Sequence, residues 1–584
     1  MVKLITKRKM RNQKKLLMAA FGACLCGVVG AQPAVRLNQV AVYPGQEKTI
    51  VVENQGKALK PDVRNAQTGK RAGKVRLLRQ SKSPWSGKTY AVYALEGQLP
   101  EGDYVVKAGA GEVPFAVKSN ALRELEQAAI KAFYYQRTAM PIKEPYAGVW
   151  SRPAGHPDNV VYVHPSAASP GRPAGTVISS PGGWYDAGDY NKYIVNSAFT
   201  IGIMLRSYEQ NRDYFDRLKV NIPENGNQTA DVLDEIMYNL RWMLTMQDPW
   251  DGGVYHKLTT PNFEGFVMPS DCHQKRYVVQ KGVCASYDFA AVMAQAARIF
   301  KGSRDYPGFS EEATRAALAA YRWAEEHPEA LYNQDAMNKE FDPDVSTGTY
   351  GDWDSRDERF WAATELFLLT ADPLFERDAA CNMPARFHLP TWGNVASLGV
   401  YEWAILKPDT EQGMSGRRMM TAYCDSIVKT TATSCFQTPS GNSPRDFFWG
   451  CLAESFCASG VTLLHVYQMT GDGRYLTAAQ QNADYLLGRN ATGYCYVTGF
   501  GSRPSCHPHH RLSSADGIEA PIPGLLVGGP NPGQQDISSG LKYPSKQPDE
   551  SYLDEEGSYA SNEIAINWNA SLVALAGWID AVAK

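Results

Sequence analysis

The sequence predicts a large all-α domain preceded by a small all-β domain. Its 584 residues exceed what one compact core usually holds, which favours two domains. Residues 34–118 carry short segments in which apolar and polar residues alternate, the period of β-strands. After Asn120 the period changes to that of helices, and no strand-helix-strand alternation follows. A helical toroid with long loops at one end is therefore expected.

The N-terminus has the layout of a secretory signal peptide. Basic residues between Lys3 and Lys15 precede the apolar run 16–30, and small residues end at Ala31. The prediction is cleavage after residue 31 and a secreted, periplasmic or cell-surface protein. An alternative cut would leave Cys24 or Cys26 as a lipidated residue. An uncleaved anchor is disfavoured because the apolar run is shorter than the roughly 20 residues of a membrane span.

The β domain is placed at residues 32–118. Residues 35–40, 48–52, 89–93 and 104–106 alternate, and Gly- and Pro-bearing turns separate them. This spacing is typical of an antiparallel sandwich.

The helical domain is placed at residues 119–584. The apolar periodicity predicts helices over these ranges: 121–137, 229–247, 284–300, 310–326, 356–370, 414–429, 449–470, 474–487 and 562–583. The loops between them are long and rich in Gly, Pro, Asp and aromatic residues, which is typical of functional loops.

Charge and cysteine content exclude several classes of protein. The formal net charge of −2 argues against a basic nucleic-acid-binding protein, and no later segment is apolar enough for a membrane span. The nine cysteines after residue 31 are scattered and include no CxxC pair. Neither a disulfide framework nor a zinc–thiolate site is expected.

Two aspartates stand three residues apart in a glycine- and aromatic-rich loop. Asp186 and Asp189 lie within residues 181–193, directly before an apolar run. Glycines allow both carboxyl groups to approach a ligand, and aromatic rings offer flat faces to sugars. The alternative interpretation is that Asp186 caps a turn and Asp189 caps the following helix.

Glu563 begins a second candidate segment. Asn562 is expected to cap a helix whose first turn contains Glu563, so this carboxylate could simply complement the helix dipole. Against that stands an apolar setting beside Trp568, which would raise the pKa of the carboxyl group towards that of a general acid.

A third segment, residues 497–511, is rich in glycine and ends in residues 505–511, which contain three histidines and an arginine. His509 and His510 are adjacent and would point in different directions, which disfavours a metal site. Hydrogen bonding to a polyhydroxylated substrate fits better.

These three segments resemble the signatures of glycoside hydrolase family 9, a family of inverting endoglucanases. The resemblance rests on the Asp186–Asp189 loop, on Pro508, His509 and Arg511, and on the spacing around Glu563. It covers nearly all of residues 120–584. The preceding sandwich resembles the immunoglobulin-like module of one branch of this family. The resemblance implies an (α/α)6 barrel, with Asp189 as general base, Asp186 helping to hold water and Glu563 as general acid.

The resemblance also implies further site residues. His509 and Asp554 are expected at the catalytic centre, and Arg511 and Tyr559 on the substrate. Plausible cleft residues, each of which could instead be core or rim, are His256, Trp392, Trp449 and Trp568. Trp568 stands where many relatives have Tyr, and the change is expected to enlarge a stacking face.

No cofactor is expected to be required. Relatives with the immunoglobulin-like module often hold zinc, but Thr138, Gly155 and Tyr185 replace three of the expected ligands and only His156 remains. Zinc is therefore not expected. Structural calcium at Asp352, Asp357 and Glu358 is an open alternative to a solvated loop.

The expected function is endo-β-1,4-glucanase action on cellulose-like, mixed-linkage or xyloglucan chains. One alternative is exo-action that releases glucose or cellobiose from oligosaccharides. A second is a non-catalytic glycan-binding protein, which the intact carboxylates disfavour. The expected partner is a β-glucan, with no nucleic acid, no membrane span and a monomeric chain.

Overall fold

The structure is a computed structural model that describes residues 35–54 and 59–583. The predicted signal peptide, with Cys24 and Cys26, lies outside the described residues. Within them, no helix combines the length and the apolar character needed to cross a bilayer.

Two four-stranded sheets form the N-terminal domain. The strands are β1 Val35–Arg36, β2 Ala41–Val42, β3 Lys48–Asn54, β4 Asp62–Asn65, β5 Lys74–Lys82, β6 Thr89–Glu96, β7 Gly102–Ala108 and β8 Gly111–Val117. The sheet orders are β1-β3-β6-β5 and β2-β8-β7-β4. Alternate residues such as Val52, Tyr93, Val106 and Phe115 meet in one core between the sheets. The predicted sandwich is confirmed.

Polar contacts join this sandwich to the helical domain. The Tyr43 hydroxyl donates to Asp580 at 2.7 Å, and the Asn38 amide donates to Asp484 at 2.8 Å. All four side chains are buried.

Twelve longer helices build the second domain. They are α1 Arg123–Gln136, α2 Ile194–Gln210, α3 Asp231–Thr245, α4 Val283–Ile299, α5 Phe309–Glu326, α6 Arg356–Thr370, α7 Pro373–Asn382, α8 Ala396–Leu406, α9 Glu411–Thr430, α10 Ala458–Thr470, α11 Gly473–Leu486 and α12 Ile566–Val582. Short helices include Glu144–Ala147, Arg212–Phe215, Gln334–Glu340, Arg511–Ala515 and Tyr559–Asn562.

These helices pack as six pairs around a closed inner ring. The pairs are α1/α12, α2/α3, α4/α5, α6/α7, α8/α9 and α10/α11. The inner helices α2, α4, α6, α8, α10 and α12 follow one another around the ring, with a Tyr401–Thr462 hydrogen bond joining α8 to α10. Because α2, α4 and α12 face neighbours on all sides, nearly every residue in them is buried. The domain is an (α/α)6 barrel, as the resemblance implied.

Two predicted helices are wrong in detail. The range 449–470 contains a π-helix, Leu452–Cys457, before α10 begins. The range 562–583 is interrupted: Asn562 ends a short helix, Glu563 is extended (φ −69°, ψ 157°), and α12 begins at Ile566. Asn562 therefore does not cap a helix with Glu563 in its first turn. Backbone pairing of residues 563–565 with neighbouring loops outweighs the local helical periodicity.

A five-stranded sheet among the loops was not predicted. Its strands are β9 Val161–Val163, β10 Val177–Ile178, β11 Lys192–Tyr193, β12 Lys257–Thr259 and β13 Arg276–Val278, in the order β10-β9-β13-β12-β11. Strands of two or three residues leave no readable periodicity in a sequence. The sheet matters because β11 connects the Asp186–Asp189 loop directly to α2.

Candidate active site

The loop with the two aspartates enters α2, and its shape depends on glycine. Gly183 has φ +82°, and a Cβ there would lie 2.8 Å from the Trp242 ring. A Cβ on Gly188 would lie 2.3 Å from the carbonyl oxygen of His509. Neither aspartate caps a helix, because Tyr193 occupies the N-cap position of α2. Asp189 therefore does not cap the helix that follows, and that alternative interpretation is wrong.

Asp186 is buried and held at both oxygens. Asn196 Nδ2 donates to Oδ1 at 2.8 Å, and the Tyr350 hydroxyl donates to Oδ2 at 2.7 Å. Burial, followed by the neighbouring Asp189 carboxylate, raises the pKa of Asp186 to about 8. The two hydrogen bonds that Asp186 accepts act in the opposite direction and favour its carboxylate form.

Asp189 is also buried, and the hydrogen bonds it accepts all end on Oδ2. The donors are the Asn191 amide at 2.7 Å, the Asn191 backbone N–H at 3.3 Å and the Tyr193 hydroxyl at 3.1 Å. Fixing one oxygen in this way sets the direction of the other, which is the arrangement a general base needs.

Glu563 lies on an extended segment beside the aspartate loop. Its Oε1 is 3.2 Å from where a Cβ on Gly188 would stand. Its carbonyl accepts from Gly528 N–H at 2.9 Å, and Ile566 N–H donates to the Asp186 carbonyl at 2.8 Å. Backbone hydrogen bonds therefore tie the segment of Glu563 to the loop of Asp186.

The environment of Glu563 favours its protonated form. Burial is the main cause that raises its pKa well above the ordinary value, and the carboxylates of Asp189 and Asp186 add to it. Arg511 acts in the opposite direction but is outweighed. A carboxyl group that holds its proton at neutral pH is suited to donate that proton to a leaving group.

His509 and Arg511 border the same loop. His509 Nδ1 contacts the carbonyl of Glu556 at 2.7 Å, and burial lowers the pKa of its imidazole to about 4, so the ring is neutral. Arg511 Nη1 donates to the carbonyl of Gly188 at 2.8 Å. Both side chains thus lie against the loop that carries the carboxyl groups.

The carboxyl group of Asp554 accepts hydrogen bonds from neighbouring loops of the protein. Its oxygens accept from the N–H groups of Cys506 and His507 at 2.9 Å, and from Asn562 Nδ2 at 3.1 Å. It therefore links the histidine loop to the residue that precedes Glu563.

Among the predicted cleft aromatics, three are accessible in part. Trp449 is 39 % exposed and packs against Tyr559 with ring centroids 5.3 Å apart. Trp392 packs edge-on against Tyr350 at 4.9 Å, close to Asp186. The Tyr559 hydroxyl donates to the carbonyl of Gln535 at 3.0 Å, which fixes its ring.

Two predicted cleft residues are buried instead. His256 is 1 % exposed, stacks on Tyr332 at 3.8 Å and contacts the carbonyl of Thr349 at 2.7 Å. It supports the loop that ends in Tyr350. Trp568 is 6 % exposed because its indole lies against Gly450 and Gly528. The expected enlargement of a stacking face at Trp568 is therefore wrong.

Sequence reasoning missed Tyr350, Tyr193 and Asn196, which hold the two aspartates. Tyr350 has φ +45°, a conformation that is rare outside glycine. No local pattern marks such a residue. Tyr193 stood within the aromatic loop and could have been proposed from its spacing to Asp189.

The segment considered for calcium is acidic, and its carboxyl groups lie close enough together to raise one another's pKa. Asp357 accepts from the N–H of Val395 at 2.7 Å, and the buried Glu358 lies against Asp357 and Cys284. The nearby Asp288 is also buried. Burial raises the pKa of the Glu358 and Asp288 carboxyl groups well above ordinary values. In residues 35–54 and 59–583, no three such side chains converge to hold a metal. Calcium at this segment therefore stays a prediction.

Comparison with known proteins identifies both domains. The model of the family "Glycosyl hydrolase family 9" matches residues 123–576, and that of the "Cellulase N-terminal ig-like domain" matches residues 30–112. The xyloglucan-specific endo-β-1,4-glucanase BoGH9A of Bacteroides ovatus is 54% identical over 558 residues, covering 94% of each chain. Endoglucanase D of Acetivibrio thermocellus is 33% identical over 493 residues, covering 82% of this chain and 73% of its own.

A solved structure described as Bacteroides ovatus GH9 superposes with a TM-score of 0.90 at 52% identity, covering 94% of this chain and 99% of its own. The match spans both domains, so the agreement is not restricted to one motif. The chain belongs to glycosyl hydrolase family 9 and is a glycoside hydrolase of the endoglucanase type.

Proposed function

We propose that this endo-β-1,4-glucanase acts on xyloglucan and cleaves its backbone with inversion at the anomeric carbon. The observation that carries the choice of substrate is the 54% identity, over 94% of the chain, to an enzyme named xyloglucan-specific. The inverting mechanism is supported by the two neighbouring aspartates and by Glu563, a carboxyl group of raised pKa that lies beside their loop.

In the proposed reaction, Asp189 takes a proton from a water molecule while that water attacks the anomeric carbon. The glycosidic C–O bond breaks, and Glu563 gives its proton to the departing oxygen. Asp186, held by Asn196 and Tyr350, helps to orient the water. An inverting enzyme needs its acid and base roughly 6.5–9.5 Å apart, so that a water fits between base and sugar.

The stereochemical outcome tests this mechanism. A β-linked oligosaccharide is expected to give the α-anomer first, because water enters from the face opposite the leaving group. Proton NMR of the anomeric region during the first minutes of hydrolysis measures this directly. A β-product that accumulates ahead of mutarotation would contradict inversion.

Substrate preference and mode of action have a separate test. With tamarind xyloglucan, barley β-glucan and carboxymethyl cellulose compared, kcat/KM is expected to be at least about tenfold higher on xyloglucan. A rapid fall in viscosity with few reducing ends is expected, since endo-action cuts chains internally. Equal rates on all three polymers would contradict the preference, and release of only glucose or cellobiose would indicate exo-action.

We propose that neither catalysis nor folding requires zinc. His156 Nδ1 hydrogen-bonds to the Tyr185 hydroxyl at 2.8 Å, and a Cβ on Gly155 would overlap Pro269 at 2.2 Å. Tyr185 thus occupies His156 with a hydrogen bond, and a longer side chain at 155 has no room. After dialysis against chelator, the protein is expected to contain less than about 0.1 zinc per chain, with unchanged kcat. One zinc per chain would contradict this.

Calcium bound to the acidic segment would stabilise the folded protein, and the dialysed protein is suited to test this. If calcium binds at Asp352, Asp357 and Glu358, millimolar CaCl2 raises the melting temperature of the dialysed protein, since a ligand that binds only the folded state stabilises it. Magnesium at equal concentration is the control, because its smaller shell suits a dedicated protein cage less well. An unchanged melting temperature would remove calcium from the proposal.

We further propose that residues 1–31 direct export and are removed, and that the mature chain is a monomer. N-terminal sequencing of protein recovered from the native host would place the cut. An N-terminus blocked by lipid at Cys24 or Cys26 would favour the lipoprotein alternative.

A further inference from the structure

Glu454 is a fourth acidic residue next to the catalytic segments, and no motif pointed to it. It lies on the π-helix Leu452–Cys457, which follows the half-exposed Trp449 and precedes α10. Single π-helical turns often occur at functional sites, because the extra residue redirects side chains. Glu454 is only half-buried, whereas the other five residues of this turn are buried.

Two residues of α12 hydrogen-bond to Glu454. Asn567 Nδ2 donates to its Oε1 over a long 3.5 Å, and the Trp568 side chain also donates to it. An indole has one N–H donor and no acceptor, so a buried tryptophan needs an acceptor nearby. Glu454 supplies it in a position where the backbones of Gly450 and Gly528 enclose the ring.

The contact with Asn567 continues to Asp186. Asn196 Nδ2 donates to Asp186 Oδ1 at 2.8 Å and to Asn567 Oδ1 at 3.4 Å. With its oxygen facing Asn196, Asn567 must turn its NH2 group the other way, towards Glu454. An acceptor at Glu454 therefore favours the amide orientation that keeps Asn196 on Asp186.

Glu454 can play this part without adding charge to the site. Burial is the main cause that raises its pKa, to about 8, and the hydrogen bond from Trp568 opposes the rise only in part. The raised pKa favours the neutral carboxyl form, whose carbonyl oxygen still accepts hydrogen bonds.

We propose that Glu454 is a positioning residue for hydrolysis, which holds Asp186 in place through Asn567 and Asn196. The proposal rests on the role proposed above for Asp186 in orienting the attacking water. It predicts that loss of Glu454 impairs the attack of water rather than the binding of substrate or the protonation of the leaving group.

The test compares Glu454→Leu, Glu454→Gln and Asn567→Leu on xyloglucan and on aryl cello-oligosaccharides with good and poor leaving groups. Glu454→Leu is expected to lower kcat about tenfold or more, with KM changed less than about twofold, since misplacement of a reacting group acts on the chemical step. The loss should be equal for both leaving groups. Glu454→Gln keeps an acceptor and is expected to retain about half of kcat or more.

Asn567→Leu interrupts the same line of hydrogen bonds and should reproduce the loss, and the double variant should be no worse than either single one. If Glu454→Leu does not fold, the kcat of Asn567→Leu tests the same proposal in its place. The control is Glu126→Leu, which removes a buried glutamate on α1, away from Asp186, and should leave kcat unchanged.

Three results would overturn the proposal: a folded Glu454→Leu protein with nearly wild-type kcat, equal losses in Glu454→Gln and Glu454→Leu, or strictly additive losses in the double variant. Asp186→Asn serves as the reference. If that variant keeps full activity, the role proposed for Asp186 has failed, which is a separate outcome.

Discussion

Replacement of Glu563 by Gln is expected to lower kcat on xyloglucan about 10²–10⁴-fold, the usual contribution of a general acid. The amide has the shape of the protonated carboxyl group but no proton to give. Because burial and the two aspartates raise the pKa of Glu563 and favour its protonated form, the change is expected to alter the charge of the site little. The melting temperature should therefore stay close to that of the wild type.

The pH dependence of kcat/KM is a second measurement of the role of Glu563 as general acid. The raised pKa of Glu563 means that the active, protonated form is present at lower pH and is lost as pH rises through that pKa. The alkaline fall in kcat/KM is expected in the wild type and should disappear in Glu563→Gln. An aryl glycoside with an acidic phenol leaving group needs little protonation, so its hydrolysis should be affected least.

The control for Glu563 is Glu556→Gln, seven residues earlier, where the side chain is exposed and only the backbone carbonyl contacts His509. It should behave like the wild type on every substrate. A Glu563→Gln enzyme that keeps more than about a tenth of wild-type kcat on the polysaccharide would remove Glu563 from the role of general acid.

Replacement of Asp189 by Asn is expected to cause a loss of similar size, about 10²–10⁴-fold, for a different reason. The amide cannot take a proton from water, although Asn191 and Tyr193 can still hold its oxygen. Since the defect lies in the attack of water, it should be the same for good and poor leaving groups. Steady-state kinetics on paired aryl glycosides measures this contrast with Glu563→Gln.

The matched comparison for Asp189 is Asp186→Asn in the same loop. In the proposed reaction Asp186 orients the water but does not take its proton, so a smaller loss of kcat is expected. Restoration of Asp189→Asn activity by an acidic leaving group would contradict the assignment of Asp189 as base. A larger loss in Asp186→Asn than in Asp189→Asn would exchange the two roles.

The sequence by itself determined the fold class and which residues to examine. Alternation in residues 34–118 and the helical period after Asn120 are local properties, because each strand or helix shows its buried face within a few residues. The motif resemblance pointed to Asp186, Asp189 and Glu563, and the family match covers the segments that contain them. The roles of these residues stay predictions until the variants are measured.

Only the tertiary structure decided how the site is held. Glu563 leaves the helical pattern because residues 563–565 pair with the His509 segment, with Val527 and with Ala187, which are remote in sequence. Long-range contacts also bury two residues that the sequence suggested for the cleft. Tyr332 covers His256, and the backbones of Gly450 and Gly528 enclose Trp568. Tyr350, Asn196 and Glu454 reach the site from separate segments of the chain. Long-range contacts set burial, pKa and hydrogen-bond direction, and none of these leaves a periodic trace in the local sequence.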